Sequence, residues 1–447
     1  GKNSVHRSRY DDTICAVATG QSNLSAIAII RVSGPYAITI VEKHFRKKLT
    51  DSHKAKFGVF RNEAGGAIDD VIVLAMKGPK SYTGEDVVEV HCHGGFIQPR
   101  RICEALCASG CRMAEPGEFT RRAVLNNRLS LLQAEAINHV IHATSEVDAQ
   151  AALMNCHGLS TNRFVQLRQE IITVLAYIEA SLDFPDEDPA IEEGDVESML
   201  RSLVSRLDAL KGTFKRGKLL RNGPRIVITG DVNVGKSSLF NALLRSERAI
   251  VTHIPGTTRD LIEEGLFIDG YSFRLVDTAG LRATDCLVEQ EGMKRAIDTA
   301  EQADIVLDVR DIRNPRENVD GVDKLRILVA NKSDLLDFTP TCEGEICISA
   351  LNGEGLDKLT KKLVEAAQKL AGTVQEDEVI LFTERQFDGV SKAHLAIERA
   401  LSAHQERLFD VVADETRDGA AYIASIIGEV HNEDVLDEMF TTFCLGK

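Results

Sequence analysis

Gly230-Asp231-Val232-Asn233-Val234-Gly235-Lys236-Ser237 fits G-x-x-x-x-G-K-[ST], and it stands between the apolar run Arg225 to Thr229 and the run Leu239 to Leu244. That order predicts a strand, a glycine turn and a helix N-terminus. In such a turn backbone N–H groups converge on a phosphate chain, the Lys236 ammonium reaches the β- and γ-phosphates, and the Ser237 hydroxyl is placed to ligate Mg²⁺. The octet alone also occurs by chance. Four further segments follow it in the order that a guanine-nucleotide switch needs: Thr257-Thr258, Asp277-Thr278-Ala279-Gly280, Asn331-Lys332-Ser333-Asp334 and Ser349-Ala350.

Each segment has its own chemistry. Asp277 closes the apolar strand Phe273 to Val276 where a carboxylate holds magnesium through water, and the Gly280 N–H can meet the γ-phosphate. Asn331 to Asp334 follows the strand Leu325 to Ala330; a carboxylate there accepts two hydrogen bonds from a guanine edge, which adenine cannot offer, while Lys332 lies along the base. Asp334 therefore selects GTP over ATP. After Gly280 comes Leu281, where Ras-type switches carry a glutamine that orients the attacking water. A leucine cannot do this. The next segment offers Asp285, Glu289 and Glu291 as carboxylates, with Arg282 and Arg259 as cations, and spacing alone does not choose among them.

A chain of 447 residues exceeds a nucleotide-binding module of ~150–160 residues, so further domains are expected. The apolar (43%) and charged (27%) fractions are those of a globular chain, and no apolar run approaches the ~18 residues of a membrane span. The polar, basic start from Gly1 to Asp12 is unlike a signal peptide, Gly1 reads as a processing remnant, and ten cysteines without a short secreted framework fit a reducing, cytoplasmic setting. The net charge of −15 is uneven: residues 1–128 hold 19 Lys and Arg against 13 Asp and Glu, leaving 34 against 55. Such a chain is a poor general nucleic-acid binder, because phosphate contacts need clustered cations.

Residues 1–128 alternate short apolar runs (Ser25 to Val32, Ile68 to Met76, Val87 to Val90) with a helical stretch (Gln98 to Ser109), an α+β pattern. Residues 129–220 are helical, interrupted near Gly158 and at Pro185 to Pro189, and residues 376–447 return to helix at Phe387 to Leu408 and Gly419 to Val430. The economical arrangement is a helical domain into which a nucleotide-binding domain, residues 221–375, is inserted. Cys103, Cys107 and Cys111 match no zinc or iron–sulfur spacing and read as packing, while His91 and His93 read as a structural pair at a strand end. Cys444 to Lys447 is no prenylation box, since Gly446 is not aliphatic.

The chain resembles the MnmE (TrmE) family of tRNA-modification GTPases over essentially its full length. The resemblance rests on Ile30 to Gly34, Tyr82-Thr83-Gly84-Glu85-Asp86, His93-Gly94-Gly95, Glu115 to Ala123, Gln133 to Ile137, the motifs above, Gly256 to Asp260, and Phe443-Cys444-Leu445-Gly446-Lys447. It implies an N-terminal α+β folate-binding and dimerisation domain, a helical domain and an inserted Ras-like P-loop G domain. The implied activity is GTP hydrolysis coupled to modification of C5 of the wobble uridine of certain tRNAs, of the carboxymethylaminomethyl type. The implied one-carbon donor is a tetrahydrofolate derivative, 5,10-methylene or 5-formyl. The implied partners are a second copy of the chain, the flavoprotein MnmG in a hetero-oligomer, and tRNA mainly through that partner, with no membrane.

By the same resemblance GTP contacts fall on Asn233, Val234, Gly235, Lys236, Ser237, Ser238, Thr252, Thr257, Thr258, Asp277, Thr278, Ala279, Gly280, Asn331, Lys332, Asp334, Ser349 and Ala350. Mg²⁺ falls on Ser237 and Thr258, and K⁺, in place of an arginine finger, on Asn233, Thr252, Ile254 and Thr257. Glu289, twelve residues after Asp277, matches the water-orienting glutamate, with Lys236 and Cys444 as the other catalytic positions. Folate contacts fall on Arg31, Glu89, Lys447 and Arg128, the last standing where the family often has lysine. The chain departs from the family in the loop Gly20 to Ser25 and at His253 and Pro255. A different class of function, a ribosome-assembly switch that modifies no base, would call for a C-terminal KH-like domain with a basic sheet; the C-terminal region here is acidic.

Overall fold

The computed structural model describes residues 12–20, 25–143, 145–183, 193–245, 250–252, 263–276, 303–314, 325–336, 344–372, 374–375, 378–429, 433–441, 443–444 and 446. In chain order come β1 (Thr13–Val17), β2 (Ile27–Ser33), α1 (Ala37–Phe45), β3 (Lys54–Arg61), β4 (Ala67–Met76), β5 (Val87–His93), α2 (Ile97–Ala108), β6 (Cys111–Met113) and α3 (Glu118–Leu125). The helices α4 (Leu131–His142), α5 (Glu146–Cys156), α6 (Leu159–Asp183) and α7 (Glu193–Asn222) follow. Then come β7 (Arg225–Thr229), α8 (Lys236–Arg245), β8 (Ile250–Thr252), β9 (Glu263–Ile268), β10 (Tyr271–Val276), β11 (Ile305–Asp311), β12 (Leu325–Asn331) and β13 (Ile346–Cys347). Four helices end the chain: α9 (Leu356–Ala371), α10 (Glu384–Gln405), α11 (Phe409–Ile427) and α12 (Glu433–Thr441).

These elements form two compact units, one of residues 1–138, 155–168 and 423–447, the other of residues 139–154 and 169–422. The first is built on a sheet of order β3-β4-β5-β2-β1-β6, antiparallel except for the β1/β6 pair. Period-two alternation gives it two faces. Cys15, Val17, Ile30, Val32, Val88 and Val90 face a core closed by α1 and α2, while Ile14 and Ala16 face Ala114, Phe119 and Tyr82. The C-terminal helix belongs here: Leu436, Phe440 and Phe443 are buried with Val124, Leu131 and Ala134.

The second unit holds a sheet of order β13-β12-β11-β7-β10-β9-β8, parallel from β13 to β10 and antiparallel beyond. Strand β7 holds the continuous apolar run Ile226-Val227-Ile228, buried on both faces of the sheet. Ile226, Ile228, Leu307 and Val329 pack with Leu239 and Leu243 of α8 and with Leu359 and Leu363 of α9. Helices α7 and α10 pack together, with Phe214 stacked on Phe387 at a 4.5 Å ring separation. Thr383 caps α10 by accepting from the Gln386 N–H at 3.2 Å. Among the described residues the helical reading of residues 129–220 resolves into four helices, and the break at Gly158 is a left-handed turn with φ +85°.

Candidate functional site

The turn between β7 and α8 takes the conformation that its sequence demands. Gly230 (φ +138°), Asn233 (φ +63°) and Gly235 (φ +95°) all lie at positive φ. A Cβ on Gly230 would sit 2.0 Å from the Val309 carbonyl oxygen, and one on Gly235 2.3 Å from Asn331 Nδ2. Only glycine admits such close approach. Within the loop Lys236 Nζ donates to the carbonyls of Gly230 (2.9 Å) and Asp231 (2.5 Å), so the ammonium stands over the turn.

Asn331 ties the site together. Its buried side chain donates to the Val234 carbonyl at 2.8 Å and accepts from the Ala350 N–H at 3.0 Å, joining three segments that lie far apart in sequence. Ser349 Oγ donates to Asp334 Oδ1 at 2.5 Å, aligning the carboxylate assigned to the guanine edge. Lys332 adopts φ +71° and its ammonium lies 2.9 Å from Asp311 Oδ2. Beside the loop a cleft of about 720 Å³ opens between α8 and the start of α9, lined by Ser238, Asn241, Ala350, Leu351 and Asp357 among others. Asn233, Val234, Gly235, Lys236, Ser237, Ser238, Asn331, Lys332, Asp334, Ser349 and Ala350 thus gather at the C-terminal edge of one sheet, where open α/β sheets bind ligands. Thr252 ends β8 at the far edge of the same sheet. Ile254, Thr257, Thr258, Asp277, Thr278, Ala279, Gly280 and Glu289 lie outside the described residues.

A second cluster sits on the face of the N-terminal sheet opposite the α1 and α2 core. Arg31 and Glu89 are cross-strand partners on β2 and β5, and Arg31 donates to Glu89 Oε1 from Nε (3.1 Å) and Nη2 (2.9 Å). The guanidinium carbon lies 5.1 Å from the Tyr82 ring centroid and 5.8 Å from that of Phe119. Burial pushes the Tyr82 hydroxyl above its usual range, and Tyr82 exchanges a 2.8 Å hydrogen bond with Thr120. The chain terminus reaches this place. Arg31 Nη1 donates to the Gly446 carbonyl at 3.4 Å, Gly117 N–H to the Cys444 carbonyl at 3.4 Å, and Phe443 is buried below while Cys444 is exposed. Arg128 is exposed and donates to the Ser81 carbonyl at 3.2 Å, next to Tyr82. Lys447 lies outside the described residues.

The motif residues Glu85, Glu118 and Arg122, which carry no assigned role in the sequence, form a buried ion network that holds this cluster. Arg122, 1% exposed, pairs with Asp12 (2.6 Å), Glu118 (3.0 Å) and Glu85 (3.3 Å), while Arg112 pairs with Glu118 (2.6 Å) and Asp12 (2.7 Å). Burial pushes the Glu118 carboxyl up, but Arg112, the Glu115 N–H and Arg122 outweigh it and hold it below the usual range; Asp12 is lowered in the same way. Ser33 donates to Glu85 Oε2 at 2.7 Å, so the Tyr82-bearing loop is pinned to β2 and α3 together. Cys103 and Cys111 are buried in the core on the other face, where Cys15 and Cys107 bring their sulfurs to 3.8 Å. His93 pairs with Asp69 at 2.7 Å and His91 lies 3.5 Å from Glu89. Among the described residues no group of three or more His, Cys, Asp or Glu is placed to hold a metal, seven cysteines are free, and Cys347 is disulfide-bonded.

A P-loop domain whose asparagine, lysine and aspartate gather at the sheet edge, in one chain with an α+β unit that holds its own docked C-terminal tail, defines a multidomain guanine-nucleotide-binding protein. Comparison with known proteins narrows the class. The family model described as GTP-binding protein TrmE N-terminus matches residues 13–128, and that of the MnmE helical domain matches residues 131–444. The tRNA modification GTPase MnmE of Moorella thermoacetica is 40% identical over 98% of this chain and 100% of its own length. The protein of the same name from Aquifex aeolicus is 38% identical over 98% and 100%, and that from Geotalea uraniireducens 39% over 98% and 99%. The chain belongs to the MnmE (TrmE) family.

Proposed function

We propose that this chain hydrolyses GTP and uses the cycle to drive modification of a tRNA uridine; its relatives are named tRNA modification GTPases. The observation that carries the proposal is the bridge by Asn331, which couples the phosphate loop to the segment holding the guanine edge. Lys236 neutralises phosphate charge, the loop N–H groups hold the oxygens, and Asp334, aligned by Ser349, reads the base. Ser237 and Thr258 would hold Mg²⁺. Asn233, at the tip of the loop in a left-handed conformation, would present its side-chain oxygen to K⁺ together with Thr252, Ile254 and Thr257. The two cations would supply positive charge to the phosphates, and Glu289 would orient the attacking water.

The cluster at Arg31 has the chemistry for a reduced folate. Such a ligand carries carboxylates for a cation and a polar pterin edge for an acceptor, and the aromatic faces of Tyr82 and Phe119 add stacking area. Arg128 and Lys447 add cations, and the Cys444 thiol acts beside the one-carbon group. Ile29, His91, Ile72 and Phe57 stand side by side across β2, β5, β4 and β3 on the Arg31 face, and Ile72 and Phe57 are exposed at 45% and 65%. An open apolar sheet face of this kind suits pairing with a second copy of the chain. No helix among the described residues is long and apolar enough to cross a membrane. The acidic surface leaves most tRNA contact to a partner, the flavoprotein MnmG, in the cytoplasm.

Purified chain mixed with MnmG, tRNA, GTP and labelled methylene-tetrahydrofolate tests the proposal, with nucleosides read by mass spectrometry. Label in the wobble uridine is the expected result. GTP turnover without any labelled nucleoside would reduce the protein to a switch.

A further inference from the structure

Lys332 belongs to the motif that faces the base, yet nothing in the motif holds its four-carbon stem in place. Asp311 does. It is the last residue of β11, opposite Asn331 in the parallel register with β12, and it is 5% exposed. Its carboxylate lies 2.9 Å from Lys332 Nζ and accepts from Arg313 Nε (3.0 Å), Nη2 (2.7 Å) and N (3.1 Å). Arg313, and then Lys332, hold the carboxyl far below its usual range, so the anion persists at every working pH. Neighbouring charges have partners of their own: Arg310 pairs with Glu345 at 2.8 Å and Arg326 with Asp308 at 3.6 Å. Lys332 also adopts a left-handed backbone, φ +71°, which a lysine keeps only when its surroundings impose it.

We infer that Asp311 is a positioning residue of the guanine site: it anchors the Lys332 ammonium so that the aliphatic stem stands along the face of the base. This rests on the reading that Asn331 to Asp334 grips guanine. Without the carboxylate, Lys332 and Arg313 lose their common anion and repel each other, and the stem swings free. A purely local role, clamping the turn after β11 through Arg313, is the competing account.

A double-mutant cycle on the full chain separates the two, using stopped-flow release of GDP carrying a fluorophore on its ribose. Asp311→Asn is expected to speed release roughly tenfold or more, as for a lost charge-assisted contact, and Lys332→Ala to do the same. In the Lys332→Ala background Asp311→Asn should then change release less than about twofold. Arg313→Ala should leave it near wild type, and Asp311→Glu should recover most of it. Wild-type release by Asp311→Asn, or an undiminished effect in the Lys332→Ala background, overturns the inference. If Lys332→Ala and Asp334→Asn both bind GDP like wild type, the guanine reading itself falls, and this inference with it.

Discussion

Replacing Gly446 by alanine should detach the end of the chain from the Arg31 cluster. Gly446 sits at φ +89°, and a Cβ there would lie 2.5 Å from the Val17 carbonyl oxygen and 2.7 Å from the Ala18 Cα. Both obstacles are backbone atoms of or next to β1, so no side-chain rotation relieves the overlap. A left-handed backbone costs an L-residue about 1–2 kcal/mol. Strain of the overlap roughly doubles this, for a total of about 2–4 kcal/mol, or roughly 25- to 700-fold against the docked tail at 1.4 kcal/mol per decade. Phe443 stays anchored, since burying such a ring is worth about 1.5–3 kcal/mol and its pocket is untouched. The lost contact is that between Arg31 and the Gly446 carbonyl. Hydrogen exchange read by mass spectrometry should show the C-terminal peptide unprotected in Gly446→Ala while α12 keeps its protection, and titration with a reduced folate should show weaker binding. Wild-type protection and affinity in this variant would refute the docking argument.

Arg31→Ala should abolish folate binding, whereas Cys444→Ser should retain it and lose tRNA modification; full modification by Cys444→Ser in the reconstituted reaction would reduce the tail to packing. Glu289→Ala should bind GTP but hydrolyse it ~10²–10⁴-fold more slowly under saturating K⁺, the range for positioned acid–base groups, and wild-type turnover would move the role to Asp285 or Glu291. Because Asp12 and Glu118 have lowered folded-state values, their ion pairs stabilise the N-terminal unit above the unfolded carboxylate range of about 3.9–4.3. That stability is lost as pH falls through the lower folded values, so a melting curve followed from pH 7 to pH 3 should drop in its acid limb, and the drop should shrink in Glu118→Gln. An acid limb unchanged by that substitution would contradict the network's role.

Local features were the legible ones. The glycine turn, its flanking strand and helix, and the strand before Asn331 follow from short-range pattern, and the helical break at Gly158 from a single residue. Sequence pattern carries helix only to Val430, yet a further helix runs from Glu433 to Thr441; its stability comes from burying Leu436 and Phe440 against Val124 and Leu131, some 300 residues away in the chain, a packing that no window detects. Strand β3, Lys54–Arg61, escaped notice because its first half is exposed and charged and so lacks apolar alternation. The Arg122 network and the Asp311 to Lys332 pair escaped for a related reason. Carboxylates and cations are abundant in this chain, and only the fold selects which of them meet.

Guanine selectivity tests the central claim most directly. In an equilibrium competition with Mg²⁺ present, GTP should displace a labelled guanine nucleotide from the wild-type chain while ATP does not, and Asp334→Asn should erode that preference by about 1.5–3 kcal/mol for each charge-assisted hydrogen bond altered. Equal displacement by ATP and GTP, with Asp334→Asn indistinguishable from wild type, would contradict the account.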